Sequence, residues 1–389
     1  MMIIGCDFHP SWQQVSWFDT ETGACGERKL VHASGDAKVF YQQAAVPALI
    51  GMEATGNSQW FVELVQDLGH EIGIGDAAQI RASYVRKQKT DKRDAAHILK
   101  LVVEGRFPRL WTPDREQRDL RQLVLHRHKL VEIRSRVKSE LQHLSLNKGM
   151  QKKRTLWSEA GQKLLRELPL KPWASCRRED LLGLLAMLHE QIGKLDQAVQ
   201  HAAEEHPQAR LLMTQPGVGP NTALAYVLTI GDVTRFARGK QVASYLGLIP
   251  HEESSGGRQK LGAITKQGNR LVRSLLVEAA QIAVRFDPGF RKQYLHRCHQ
   301  KPKGVAQVAA ARRLAVRLYW MLRTQKPYPE IVRIESSPRV ALVGELDRWI
   351  DGALSHPVVT GCSHRRIMAD VEAESMVGGT IFHRKVIAA

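Results

Sequence analysis

Four carboxylates in the first hundred residues have the types and placement to hold divalent metal ions. Asp7 sits at the end of a short apolar run, Met2 to Phe8, and Glu53 directly follows another, Ala48 to Met52. Asp91 and Asp94 lie three apart in Lys89-Thr-Asp-Lys-Arg-Asp-Ala-Ala-His97, at a helix start. Side chains at i and i+3 project from one helix face, so both acids can reach one site. Mg²⁺ or Mn²⁺ takes such oxygen ligands and keeps water and phosphate in its remaining positions. A pair of such ions clamps the attacking and leaving oxygens of a phosphoryl transfer. Lys89, Lys92 and Arg93 suit an approaching phosphate. Taken singly, each acid also reads as a turn residue, and Asp91 as a helix cap. Asp7 is the most telling, because an acid beside a buried apolar strand needs a partner or a metal.

A second group of candidates lies between residues 212 and 273. Leu212-Met-Thr-Gln-Pro-Gly-Val-Gly-Pro-Asn-Thr-Ala223 has the Gly-Val-Gly turn of a helix-hairpin-helix. There Gly217 and Gly219 would let backbone N–H groups and the next helix N-terminus approach a phosphate. An ordinary glycine turn between helices is the alternative. Next comes Tyr245-Leu-Gly-Leu-Ile-Pro-His-Glu-Glu-Ser-Ser-Gly-Gly-Arg-Gln-Lys260, followed by Thr265-Lys-Gln-Gly-Asn-Arg-Leu-Val-Arg273. A hydroxyl on a glycine-flanked loop amid Arg258, Lys260, Lys266, Arg270 and Arg273 can hydrogen-bond a phosphate or attack one. Residue chemistry alone favours the hydrogen bond, since no histidine is evidently placed as a base.

The elements that position these residues follow from periodicity. Met2 to Phe8, Gln14 to Phe18, Arg28 to His32, Ala48 to Met52 and His70 to Gly75 read as strands, and Ala37 to Ala45 and Trp60 to Leu68 as helices. This order, three strands and then alternating helix and strand, fits an RNase H-like α/β fold among other α/β arrangements. Farther on, Leu123, Leu130, Val137 and Leu144 recur every seven residues. Leu181, Leu185, Leu188, Ile192, Leu195 and Val199 step by four and three, the seam of a coiled coil. Between Arg115 and Lys148 stand nine Lys/Arg against four acids. That surface reads equally as a solvated face and as an arm touching a phosphate backbone. The expected divisions are 1–110, 111–205, 206–330 and a 331–389 extension of unknown role.

Lys and Arg number 57 of 389 residues against 39 Asp and Glu, a net charge of +18 that favours a polyanionic partner. Five scattered cysteines without a C-x-x-C pair exclude a zinc ribbon and a disulfide scaffold. With no signal segment and no run long enough for a bilayer, the expectation is a soluble, cytoplasmic protein with no membrane partner.

Asp7, Glu53-Ala-Thr-Gly56, Lys89-Thr-Asp-x-x-Asp-Ala95, Pro216-Gly-Val-Gly219, Gly247-Leu-Ile-Pro250, Ser254-Ser-Gly-Gly257 and Thr265-Lys-x-Gly-Asn-Arg270 occur in one order and rough spacing. In this the chain resembles the transposases of the insertion-sequence-110 family, which include the Piv DNA invertase, over about residues 1 to 330. The resemblance implies an N-terminal RuvC-like DEDD domain, a coiled-coil segment and a C-terminal, mainly helical domain with a catalytic serine. It implies a metal tetrad of Asp7, Glu53, Asp91 and Asp94, and a nucleophile at Ser255, with Ser254 one register step away. It implies a structured noncoding guide RNA, a bridge RNA, that pairs with double-stranded donor and target DNA. It also implies a homo-oligomer, dimer or tetramer, whose subunits share each active site, with Arg258 and Lys260 as phosphate clamps. The competing classes are a RuvC-like nuclease that hydrolyses DNA with water and a non-catalytic nucleic-acid-binding protein.

Overall fold

The computed structural model describes residues 1–44, 47–84, 90–151, 155–258 and 260–335; Lys89, and the extension from residue 336 on, lie outside them. The chain divides into two compact units, residues 1–112 and a second that begins at Pro113.

The first unit runs β1 (Met2–Phe8), β2 (Trp12–Asp19), β3 (Cys25–Val31), α1 (Asp36–Gln43), β4 (Leu49–Glu53), α2 (Gln59–Asp67), β5 (Glu71–Gly75), α3 (Ala77–Ala82) and α4 (Asp91–Val103). Its five strands form one sheet in the order β3-β2-β1-β4-β5. β1, β2 and β3 are antiparallel neighbours, whereas β4 runs parallel to β1 and to β5. This is the arrangement expected of an RNase H-like domain, and each strand lies within three residues of its sequence-predicted position.

The pleat of β1 divides the unit. Ile4, Cys6 and Phe8 point into a core shared with Tyr41 of α1 and Phe61, Val62 and Val65 of α2. Cys6, an unusual choice for that position, is fully buried and donates its S–H to Gln13 Oε1 at 3.3 Å. Gly5 and Asp7 point the other way. Gly5, Gly51 and Gly73 stand side by side across β1, β4 and β5. A Cβ on Gly5 would lie 2.3 Å from Ala95 O and Leu99 N, and one on Gly51 would lie 2.5 Å from Val102 Cγ2. The backbone of α4 therefore lies directly on the sheet, a closeness only glycine permits.

The second unit holds α5 (Arg115–Leu146), α6 (Glu159–Arg166), α7 (Pro172–Glu205), α8 (Pro207–Met213), α9 (Pro220–Ile230), α10 (Gly239–Tyr245), the hairpin β6 (Pro250–Glu252) and β7 (Leu261–Ile264), then α11 (Arg270–Phe286), α12 (Pro288–Gln300), α13 (Lys303–Thr324) and α14 (Tyr328–Glu335). α9 is mainly apolar and buried from Thr222 to Ile230, which makes it the centre of a core with α8, α10, α11 and α13. The heptad seam of α7 packs against α5 of the same chain. Val137, Leu141 and Leu144 meet Leu182, Leu185, Leu188 and Ile192, and Val124 joins Val199 and Ala203. The seam thus finds its partner in an intramolecular antiparallel hairpin and needs no second copy. No described helix is long and apolar enough to cross a membrane.

Replacing Gly5 by Ala forces a methyl group into the α4 backbone. Overpacking of this kind costs about 1–3 kcal/mol, and chemical denaturation should register the loss in the first unit. Wild-type stability in that variant would mean that α4 does not rest on the glycines.

Candidate active site

The close approach of α4 delivers its first turn to the C-terminal ends of β1 and β4. Thr90 caps the helix, its hydroxyl accepting the Arg93 N–H at 3.4 Å, so neither Asp91 nor Asp94 serves as the cap. Asp7 closes β1, and Glu53 closes β4 on the neighbouring strand. Asp7 is half-buried, and its carboxyl is raised above the usual range. Burial is the largest cause, and the negative charges of Asp94 and Asp91 add to it while His9 opposes it. Asp94 is buried and accepts the Tyr84 O–H at 2.6 Å. Burial, the Asp94 hydrogen bond and the nearby charges of Asp94, Glu53 and Asp7 push the Tyr84 hydroxyl far up. The four acids of the sequence reading therefore converge on one end of the sheet.

Two residues that the sequence reading left out join them. His9 Nε2 lies 3.3 Å from Asp7 Oδ2 and 3.9 Å from Asp91 Oδ1, and its ring stacks on Trp12 with centroids 4.2 Å apart. Ligand atoms of Asp7, His9 and Asp91 all fall within 4.8 Å of one another, a spacing that suits a shared cation. Tyr84 is held by His97, with ring centroids 4.1 Å apart, and His97 Nε2 lies 2.7 Å from the Ser83 hydroxyl. The Asp7-x-His9 spacing was a usable signal for the first, because alternate residues of a strand share a face. Tyr84 had none, being joined to Asp94 only through the fold. Lys92, exposed, pairs with Glu27.

The second candidate group lies in the second unit. Gly256 and Gly257 have φ of 58° and 75°, and the Arg258 N–H donates to Ser255 O at 3.1 Å. Two consecutive positive φ values make the tight turn of a two-residue hairpin. Ser255 stands at its corner, exposed, with no hydrogen bond to its hydroxyl among the described residues. Ser254 differs: its hydroxyl donates to Glu252 Oε1 at 2.6 Å and accepts the Lys260 N–H at 3.1 Å, closing the hairpin. The hairpin base is tied to the next motif, with Thr265 N–H donating to Ile249 O at 2.9 Å and Lys266 N–H to Gly247 O at 3.2 Å. Asn269 then caps α11 by accepting the Val272 N–H at 3.2 Å.

The cations around this loop divide into two groups. Arg258, Lys266 and Arg270 are exposed, and Lys260 is exposed with Glu253 3.5 Å away. Arg273 directs its Nη1 to the carbonyls of Leu246, Gln267 and Gly268 and so braces the loop. Gly217 has a φ of 88°, and a Cβ there would lie 2.5 Å from Ala279 O. Its Cα side thus packs on α11, which the glycine makes possible. Gly219, at the N-terminus of α9, faces open space.

Comparison with known proteins gives this geometry a family. Residues 209–295 match the model described as "Transposase IS116/IS110/IS902 family", and residues 4–146 match a model described as "Transposase" and named for the DEDD domain of the IS110 group. A protein of Pseudomonas aeruginosa named "Probable family 20 transposase" is 29% identical over 336 residues, covering 83% of this chain and 97% of its own. The transposase for insertion sequence element IS1111A of Coxiella burnetii is 26% identical, with 66% of this chain and 72% of its own covered. The pilin gene-inverting protein of Moraxella bovis is 26% identical over 82% of this chain and 92% of its own. The match over 4–146 covers the acidic cluster and the match over 209–295 covers the serine hairpin, and the chain belongs to the IS110 family of transposases.

Proposed function

We propose that this transposase is an RNA-guided DNA recombinase that exchanges strands through a phosphoserine formed on Ser255. The observation that carries the reading is the Ser255 hydroxyl, exposed and uncommitted at the corner of a rigid turn, while Ser254 is bound into the hairpin. A nucleophile must reach phosphorus in line, and a hydroxyl already engaged on both sides is poorly placed to do so. The relative named for inverting a pilin gene supports DNA rearrangement as the outcome.

In the first step Ser255 Oγ forms a bond to a DNA phosphorus as the P–O bond to one strand end breaks. The serine proton ends on the departing hydroxyl. In the second step a hydroxyl of the other DNA attacks the phosphoserine and restores the serine. One phosphodiester replaces another, so no energy-rich cofactor is consumed. Arg258, Lys260, Lys266 and Arg270 hold the phosphate charge.

Asp7, Glu53, Asp91 and Asp94 would hold Mg²⁺ or Mn²⁺, with His9 beside Asp7 and Asp91. The donor set fits: the oxygen-rich cluster crowds like charges around a half-buried Asp7, and a cation relieves that crowding. Such an ion supplies Lewis-acid stabilisation of the phosphoryl oxygens. The Tyr84 hydrogen bond keeps Asp94 in one orientation. Guide RNA and the two DNA duplexes are the polyanions that a +18 chain would gather. A homo-oligomer remains part of the reading, on the family resemblance and not on the α7 seam.

Asp7→Asn removes a charge that the fold disfavours. Without metal, its stability should equal or exceed wild type, while Mn²⁺ binding followed by electron paramagnetic resonance is lost. Tyr84→Phe should keep binding but weaken it about tenfold, as supporting residues of metal ligands commonly do. Unchanged Mn²⁺ affinity in both would remove the metal site. Ser255→Ala should lose all strand exchange and keep its fold within about 0.5 kcal/mol. Ser254→Ala should retain activity in part. The reverse order of the two would transfer the nucleophile to Ser254, and cleavage that persists in both would favour hydrolysis by water.

A further inference from the structure

α5 and α7 carry many cations, and several are neutralised within the hairpin. Arg127 pairs with Asp196 at 2.8 Å, Arg177 with Glu140 at 2.7 Å and Lys194 with Glu190 at 2.6 Å. Midway along the hairpin this pattern stops. Arg134 and Lys138 lie one turn apart on α5, both half-buried, and His189 is exposed on α7. Among the described residues, none of the three forms an ion pair or a hydrogen bond. The Lys138 Nζ sits 5.1 Å from the ring centroid of Trp157, which fixes the ammonium over an indole face.

Their electrostatics agree with this placement. Burial lowers the Lys138 ammonium, and Arg134 lowers it further. Burial also lowers the His189 imidazole, followed by Lys138 and Arg134. Among the described residues no carboxylate pairs with either group. Like charges one turn apart on a helix repel each other. Arg134 and Lys138 are thus a half-buried pair of like charges without a counter-charge among the described residues, with His189 beside them.

We propose that Arg134, Lys138 and His189, with Trp157 beside them, form a binding site for the phosphodiester backbone of a nucleic acid. The site rests on the reading of the chain as a nucleic-acid recombinase and adds where on the hairpin a strand is held. Its chemistry is that of consecutive phosphates, carried equally by duplex DNA and by folded RNA. Contacts to phosphate fix position along the strand without reading sequence.

The test uses the full chain, a labelled DNA duplex and a labelled RNA hairpin, with binding followed by fluorescence anisotropy across a salt series. Arg134→Gln with Lys138→Gln removes two contacts and keeps good helix formers at both positions. The log–log salt slope should fall by roughly 1.4–1.8, at about 0.7–0.9 per lost phosphate contact. The charge-matched control, Arg177→Gln with Lys194→Gln, should leave the slope unchanged, because those cations are already paired. A fall with the duplex alone assigns the site to DNA, and a fall with the hairpin alone assigns it to RNA. An unchanged slope with both, or an equal fall in the control, overturns the site while leaving the recombinase reading intact. Wild-type protein that binds neither polymer overturns both.

Discussion

The first unit depends on the absence of side chains at one row of its sheet. Gly5 and Gly51, neighbours on β1 and β4, let α4 rest on the sheet: a Cβ on Gly5 would collide with the α4 backbone, and one on Gly51 with the Val102 side chain. That contact fixes the height of the helix above the strands. It thereby fixes where the first turn of α4 presents Asp91 and Asp94 relative to Asp7, two residues beyond Gly5, and Glu53, two beyond Gly51. The packing brings the acids close, and burial of Asp7, with the charges of Asp94 and Asp91 added, raises its carboxyl. A cation would relieve the crowding that the glycines impose.

The second unit solves a different problem, holding a small polar hairpin steady on an apolar helical core. α9 supplies the core, and Arg273 and the backbone bonds between 247–249 and 265–266 brace the hairpin base. Order at the base allows Ser255 to stay exposed at the tip without being loose. Polar groups brace the scaffold, Ser254 and Arg273 among them, and the Ser255 hydroxyl and the nearby cations are left exposed.

Much of this was legible in the sequence. Alternation places β1 at Met2–Phe8, and the Thr90-Asp-x-x-Asp94 run marks a capped helix carrying two acids. What the sequence hid were choices between partners of the same chemistry. The α7 seam calls for an apolar partner, and periodicity cannot say that α5 supplies it. Gly217 calls for a close neighbour, and on its Cα side that neighbour is α11. Lys92 and Arg273 read as free cations because their partners, Glu27 and three carbonyls, are set by the fold. Tyr84 was invisible for the same reason.

Covalent capture tests the central claim most directly. End-labelled DNA is incubated with the wild-type chain, the proposed guide RNA and Mg²⁺, then denatured, and label migrating with the protein is mapped by peptide digestion. The account predicts one labelled peptide spanning His251 to Arg258, with phosphate on Ser255. Label on a tyrosine, or cleaved DNA with no label on protein, would contradict it.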